Sequence, residues 1–390
     1  MPSSEMRTTL LLAALFSFRL LGLFMILPVF TLYAPEYQHS TPTLIGLAIG
    51  IYGLTQALCQ LPFGFLSDRY GRKPLLYIGL ILFALGGLIA ALTQQLFGVV
   101  LGRALQGAGA IGSTILATVS DLTSTHYRAK AMAIIGISIG ATFSLAMVLG
   151  PIIAAHFHLQ GIFILSVILA CLGMLITHSL PIPLLVSHPS YPSWKQVKQS
   201  MTPLILFFNF SILILHMLLT ANFIALPLVL FHQLHIEKTQ QWLVYLPILV
   251  LSAFFMMRLL RHKTQQSQQL TLLHFSILLI TLAQIGITFF HTSLAGLLFS
   301  LLLFFIAFNT IEALLPSLVS YYAPQSIRGT ALGIYSTCQF LGIFLGGVIA
   351  GYLYGQFSVT SVFLLGLSIT LIWLLFPFFI AGDTHGTRHQ

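Results

Sequence analysis

Apolar and polar positions alternate along this chain on a long period. Runs of about 20 apolar residues, the length a helix needs to cross a hydrocarbon layer, lie near residues 10–34, 44–66, 75–93, 96–119, 130–155 and 160–180. A second series lies near 203–231, 239–260, 270–290, 294–321, 329–354 and 359–381. The pattern predicts an all-α integral membrane protein with 12 transmembrane helices. The first run follows MPSSEMR and continues to Ala34 without a small-residue cleavage pattern, so it reads as a spanning helix and not as a removed signal peptide.

The longest internal connection, from Pro181 to Pro203, is rich in Pro and Ser. It divides the chain into a six-helix bundle over 1–180, a linker over 181–202, a second six-helix bundle over 203–381 and a short tail over 382–390. A shift of 200 residues lays Ser120, Arg128, Ala131, Ile134, Leu145 and Val148 on Ser320, Arg328, Ala331, Ile334, Leu345 and Val348. Two similar halves of six helices are a transporter arrangement, with the substrate expected near the membrane midplane between them.

Composition sharpens the membrane assignment. The chain is 57% hydrophobic and 6% charged, with a mean hydropathy of +0.98, outside the range of soluble domains. Its net charge of +9 comes from basic residues scattered between apolar blocks, which leaves no continuous face for nucleic acid. Instead these residues set orientation. With the N-terminus inside, Arg7, Arg69, Arg72, Lys73, Arg128, Lys130, Lys195, Lys198, Arg258, Arg261, Lys263, Arg328 and Arg388 fall in cytoplasmic segments, and only Lys238 falls outside. Both termini are therefore expected in the cytoplasm. Cys59, Cys171 and Cys338 lie in apolar runs and read as packing residues.

The stretch GFLSDRYGRKP, residues 64–74, gathers Asp68, Arg69, Arg72 and Lys73 in a chain otherwise poor in charge. Extended to Leu75, it resembles the loop 2–3 signature of the major facilitator superfamily, G-x-L-x-D-R-x-G-R-K-x-L, at every defined position. Arg103-Ala-Leu-Gln106-Gly107-Ala-Gly109 is similar to that superfamily's R-x-x-Q-G-x-G element on helix 4. FSFRLLGLFMILPV (16–29), IGLAIGIYGLTQA (45–57), AFNTIEALLPSL (307–318) and GTALGIYSTCQFLG (329–342) resemble the YajR-like branch of drug/proton antiporters. The branch's namesake carries a C-terminal soluble domain. The present sequence ends within ten residues of the last predicted span, so functions resting on that domain are not expected. Helix 5 departs from the antiporter pattern G-x-x-x-G-P-x-x-G-G, keeping only Gly150-Pro151, and this weakens the inference of export.

The resemblance implies a multi-pass protein of the bacterial cytoplasmic membrane, driven by the proton gradient without a cofactor. In the loop, Gly64 and Gly71 would allow close approach and a tight turn, while Arg69, Arg72 and Lys73 hold it on the cytoplasmic side. Asp68 is expected to accept from the helix N-terminus that follows Arg328, and Asp121 to pair with Arg72. Through the resemblance, these charges form a state-dependent lock favouring the outward-open conformation; the simpler reading is that they only set topology. Gln106, Gly107, Gly109, Gly150 and Pro151 are expected in helix packing.

Ionisable groups at membrane depth are costly and mark functional sites by default. Glu312 lies well inside the tenth span, where a buried carboxyl is suited to carry a proton or to sit in a structural ion pair. Asn309 lies one turn away. Arg19 in the first span can hold a carboxylate or phosphate through its planar fork, or pair with Glu312. Arg103 in the fourth is expected to act in proton transfer, helix packing or structural hydrogen bonding. His216, mid-span in the seventh, is a candidate for titration, though most buried histidines are merely hydrogen-bonded. Gln56, Gln60, Asn209, Asn222, Gln284 and Gln339 would orient a ligand or bond between helices. His156, His158, His232, His235 and His291 lie near external loops without metal-ligand spacing, and no metal site is expected.

No phosphate-binding GKT/S loop, catalytic triad or HExxH helix is present, so an enzyme is not expected. The leading expectation is a proton-coupled secondary transporter, monomeric in the bilayer, exporting small amphipathic compounds by alternating access. The alternative is import or export of one anionic metabolite, for instance a polycarboxylate siderophore. A receptor or scaffold without transport is a third class, opposed by the intact loop and helix 4 signatures.

Overall fold

The computed structural model describes residues 1–182, 198, 201–261 and 265–384. Most of the expected linker, with Lys195, lies outside these residues, as do Lys263, Arg388 and most of the tail. The chain forms two compact units, Met1–Ser190 with Lys238–Trp242, and Tyr191–Glu237 with Leu243–Gln390.

The first unit contains α1 (Ser3–Phe24), α2 (Phe30–Tyr33), a 3-10 turn (Ala34–Glu36), α3 (Pro42–Tyr70), α4 (Arg72–Leu92), α5 (Leu96–Ala108), α6 (Gly112–Asp121) and α7 (Arg128–Ser179). Local chemistry explains several boundaries. The Thr41 hydroxyl accepts from Leu44 N at 3.2 Å, and Pro42 occupies the first turn of α3, where a missing N–H costs nothing. Gly71 alone separates α3 from α4, at φ 93°, a backbone conformation closed to most side chains.

Two expected spans are rearranged. The fourth, expected as one helix, is interrupted between α5 and α6, where Ala110 N bonds Ala108 O and Ile111 N bonds Gly109 O, both at 2.8 Å. Tight turns thus replace the helical ladder beside Gly107 and Gly109, residues with poor helix propensity. The fifth and sixth run together as the 52-residue α7, about 78 Å at helical rise and too long for one crossing of a layer about 30 Å thick. Its break is at His158 (φ 54°, ψ −162°), whose Nδ1 lies 2.9 Å from Glu36 Oε2. Beside this pair, burial and then the Glu36 carboxylate push the Tyr37 hydroxyl up to about 12, so it stays neutral at physiological pH.

The second unit contains α8 (Pro203–His232), α9 (Trp242–Leu260), α10 (Gln266–Phe290), α11 (Leu294–Tyr322), a 3-10 turn (Gln325–Ile327), α12 (Arg328–Gln356) and α13 (Val359–Thr384). Thr202 and Ser293 cap α8 and α11 through Ile205 N and Gly296 N. Among the described residues, ten helical segments are long and apolar enough to cross a membrane, and Val359–Leu375 is a shorter apolar helix. With α7 counted as two crossings, these correspond to the expected spans. Exposed residues such as Leu92, Ile137, Leu175 and Phe299 leave outer faces fitted to lipid and too apolar for water.

Each unit has a dominant seam. In the first, α1 packs along α7; in the second, α8 packs along α12. Glycines make both close: a Cβ on Gly150 would run into Met25 O, and one on Gly346 into Met217 O. The units differ at their second spans. α3 packs closely on α5, whereas α9 rarely brings its Cα atoms within 8 Å of its neighbours.

Candidate functional site

In the first unit, Tyr52, Gln56 and Gln60 recur every fourth residue and so share one face of α3. All are buried. Arg19, 3% exposed, reaches them from α1: its Nη2 donates to Gln56 Oε1, and Gln56 Nε2 donates to Gln60 Oε1 at 2.9 Å. Arg103, 1% exposed, donates from Nη1 to Gln106 Oε1 at 3.0 Å. The Tyr52 ring serves both cations, with its centroid 5.9 Å from Arg19 Cζ and 4.6 Å from Arg103 Cζ. Among the described residues, the Nε of each arginine has no hydrogen-bond partner. Two buried guanidinium groups held by amides and a ring, without a carboxylate, suit the binding of an anion.

The second unit builds a different cluster. Glu312 stands ten residues before the end of α11, about 15 Å along the axis. Gln339, on α12, donates from one amide nitrogen to Glu312 Oε1 at 3.1 Å and approaches His216 Nε2, on α8, at 2.8 Å. His216 Nδ1 lies 3.3 Å from Ile212 O. These contacts fit Nδ1–H donating to Ile212 and Nε2 accepting from Gln339, and Glu312 Oε1 can accept from the amide whether or not Oε2 carries a proton. Glu312 Oε2 has no hydrogen-bond partner among the described residues and lies 3.8 Å from His216 Nε2. A proton arriving at Oε2 would make it a donor facing the imidazole.

Arg19, weighed from the sequence as an anion holder or a partner of Glu312, bonds Gln56 within the first unit, and Glu312 bonds Gln339 within the second. Asn309 turns away from this cluster, donating to Ser252 Oγ on α9 at 3.0 Å. Asn222 and Gln284 bond one another at 3.3 Å, and Gln284 reaches Phe363 O, so both tie helices together. Both polar side-chain atoms of Asn209 are buried without a partner among the described residues.

The loop charges converge on one side chain. Arg72 donates to Ser67 Oγ at 2.7 Å, to Asp121 Oδ2 at 3.0 Å and to Asp68 Oδ1. The Arg72–Asp121 pairing is the expected one. Asp68, near the end of α3, is held by Arg72, the first residue of α4, across the Gly71 turn. Arg328 begins α12, and its Nε is buried without a partner among the described residues. Lys73 donates to His178 O at 3.0 Å, and Arg69 lies 5.4 Å from the Tyr70 ring. Gly64 is not sterically required, since a Cβ there would meet only Ser113 Oγ at 3.7 Å. Gly107 and Gly109 do lie tight against backbone: Cβ atoms there would run into Tyr52 O and Gly79 O. Pro151 is buried in α7 next to Gly150.

Tyr52 and the bridging role of Gln339 were not singled out from the sequence. Tyr52 was detectable by its i, i+4 register with Gln56. Gln339 is 123 residues from His216, and no local pattern joins them.

Apolar spans combined with polar clusters buried inside each unit define a multi-pass membrane protein, and the comparisons make it a transporter. The chain belongs to the Major Facilitator Superfamily, whose model matches residues 12–347 and again 209–390. It is 43% identical over 379 residues to the Inner membrane transport protein YajR of Escherichia coli (strain K12), covering 96% of this chain and 83% of that one. Over 136 residues, 34% of this chain and 33% of the other, it is 33% identical to the Tetracycline resistance protein, class B, of Escherichia coli. In fold it is similar to the nucleoside transporter NupG (D323A mutant), with a TM-score of 0.75 at 16% identity, covering 94% of this chain and 98% of the other.

Proposed function

We propose that this protein is a proton-coupled secondary transporter of a bacterial cytoplasmic membrane, working by alternating access and exporting small amphipathic compounds. The observation that carries the proton-coupling part is the shared amide of Gln339. One nitrogen bridges Glu312 and His216, and Glu312 Oε2 lies 3.8 Å from His216 Nε2, so a proton gained by either group is felt by the other. In the assignment above, Gln339 ties α12 to α8 and α11. Protonation of Glu312 at Oε2 turns its hydroxyl toward His216 Nε2, whose single lone pair is then contested and releases the amide. A proton thereby becomes a change in how three helices are joined, with no cofactor required. Export draws its support from the partial similarity to a tetracycline resistance protein. Arg72, gripping the ends of α3 and α6 through Asp68 and Asp121, is the proposed conformational control element, and both termini are placed in the cytoplasm.

The test is substrate-dependent proton movement in everted vesicles and proteoliposomes, across a panel of amphipathic cations and organic acids. Proton movement with no panel member would remove the coupled reading. A second reading, transport of an anionic metabolite such as a polycarboxylate siderophore, is favoured by the two buried guanidinium groups of the first unit.

A further inference from the structure

The interruption of the fourth span creates a helix start inside the first unit. α6 is ten residues long, and its N-cap residue Ile111 supplies no side-chain cap. The first N–H groups of a helix lack partners within it and point out of its positive end. Such ends take anions, and interrupted membrane helices present them to anionic solutes.

Independent features lie at the same place. A Cβ on Gly112 would stand 3.7 Å from Arg19 Nη1, an ordinary contact, so the guanidinium lies beside the first turn of α6. The Thr114 hydroxyl, on a fully buried residue, has no partner among the described residues, and neither has that of Ser113. The acids of this unit are occupied elsewhere. Glu5 accepts from Ser124, Glu36 pairs with His158, and Asp68 and Asp121 pair with Arg72. A buried guanidinium without an anionic partner is unfavourable, and among the described residues Arg19 meets the Gln56 amide oxygen and the Tyr52 ring.

We propose that the start of α6 and the Arg19 guanidinium form an oxyanion site, which takes the carboxylate or phosphate group of a small solute. Arg19 would supply its fork, the first N–H groups of α6 a second set of donors, and the Thr114 hydroxyl a third. The inference deepens the transport reading, on which its physiological meaning rests, by specifying that a transported solute carries an acidic group.

Binding is measurable without transport. Purified full-length protein in detergent would be titrated with sodium benzoate, sodium phosphate or sodium chloride at matched ionic strength, following calorimetric heat and thermal unfolding. Saturable binding of benzoate or phosphate, absent with chloride, is expected; the stronger of the two identifies the source chemistry. Arg19→Lys keeps the charge but loses the fork, and should weaken binding by about tenfold. Thr114→Val, nearly isosteric, should weaken it less, and Cys171→Ala, on an exposed helix face, should leave it unchanged. Absence of saturable oxyanion binding to the wild type overturns the site, as does unaltered binding in both Arg19→Lys and Thr114→Val preparations that remain monodisperse. Oxyanion binding is read without a proton gradient and proton coupling only in vesicles, so failure of the site and failure of the proton reading are distinguishable.

Discussion

The two units bury opposite chemistry. The first holds two arginines around a tyrosine ring, supported by glutamines. The second holds a carboxylate and an imidazole joined by a single amide. A guanidinium keeps its charge at any physiological pH, whereas a carboxyl beside a histidine can exchange a proton. The difference teaches that duplication of a six-span pattern need not duplicate buried chemistry. In the proposed reading, one unit holds a fixed charge and the other changes charge.

The comparison breaks most visibly at Glu312. Replacing it with Gln should reduce proton-driven transport by roughly 10²-fold or more and flatten its pH dependence, while solute exchange without a gradient persists. An Arg103→Gln protein that lost its pH dependence equally, in the same vesicle assay, would erase the distinction between the units.

A second test concerns stability. Arg72 is the buried member of a three-way charge cluster, so Arg72→Ala should destabilise the first unit by about 3 kcal/mol, read as a lower unfolding temperature. Asp68→Asn keeps the shape and a hydrogen-bonding oxygen, and should impair transport while solute binding survives. Full turnover in that variant would refute the control role of the cluster.

The glycine seams should sharpen what the units share. Gly150→Val and Gly346→Val each drive a side chain into backbone, at Met25 O and Met217 O, and each should cost about 2 kcal/mol. Unequal losses in thermal unfolding would show that the two seams are not equivalent. The smallest effect is expected at Gly64→Ala, within about 0.5 kcal/mol, because a Cβ there meets only an ordinary contact. A larger loss would mean that the glycine is needed in a conformation other than this one.

Much of the fold was readable because lipid imposes a length requirement on every span. The halves at 130–155 and 160–180 were separable even though they join into α7, since no single helix that long fits one layer. The interruption at 109–111 was not readable, because isolated glycines are tolerated in helical patterns and their consequence here depends on backbone from α3 and α4 pressing against them. Among the site residues, Glu312, His216, Arg19 and Arg103 stood out as polar residues at depths where polarity is costly. Their partners did not.

Residue order alone thus sets which groups are buried: apolar length places the spans, and each charge inside one is conspicuous. Which buried group meets which was decided only in three dimensions. Asp68, at the end of one helix, meets Arg72 at the start of the next across the Gly71 turn. Arg19 was weighed against Glu312 and bonds Gln56, while Glu312 and His216, far apart in the chain, share Gln339. The physical reason is that hydrogen bonds and charge contacts act over a few ångströms and depend on direction. They are settled by helix rotation and crossing, which apolar length does not specify.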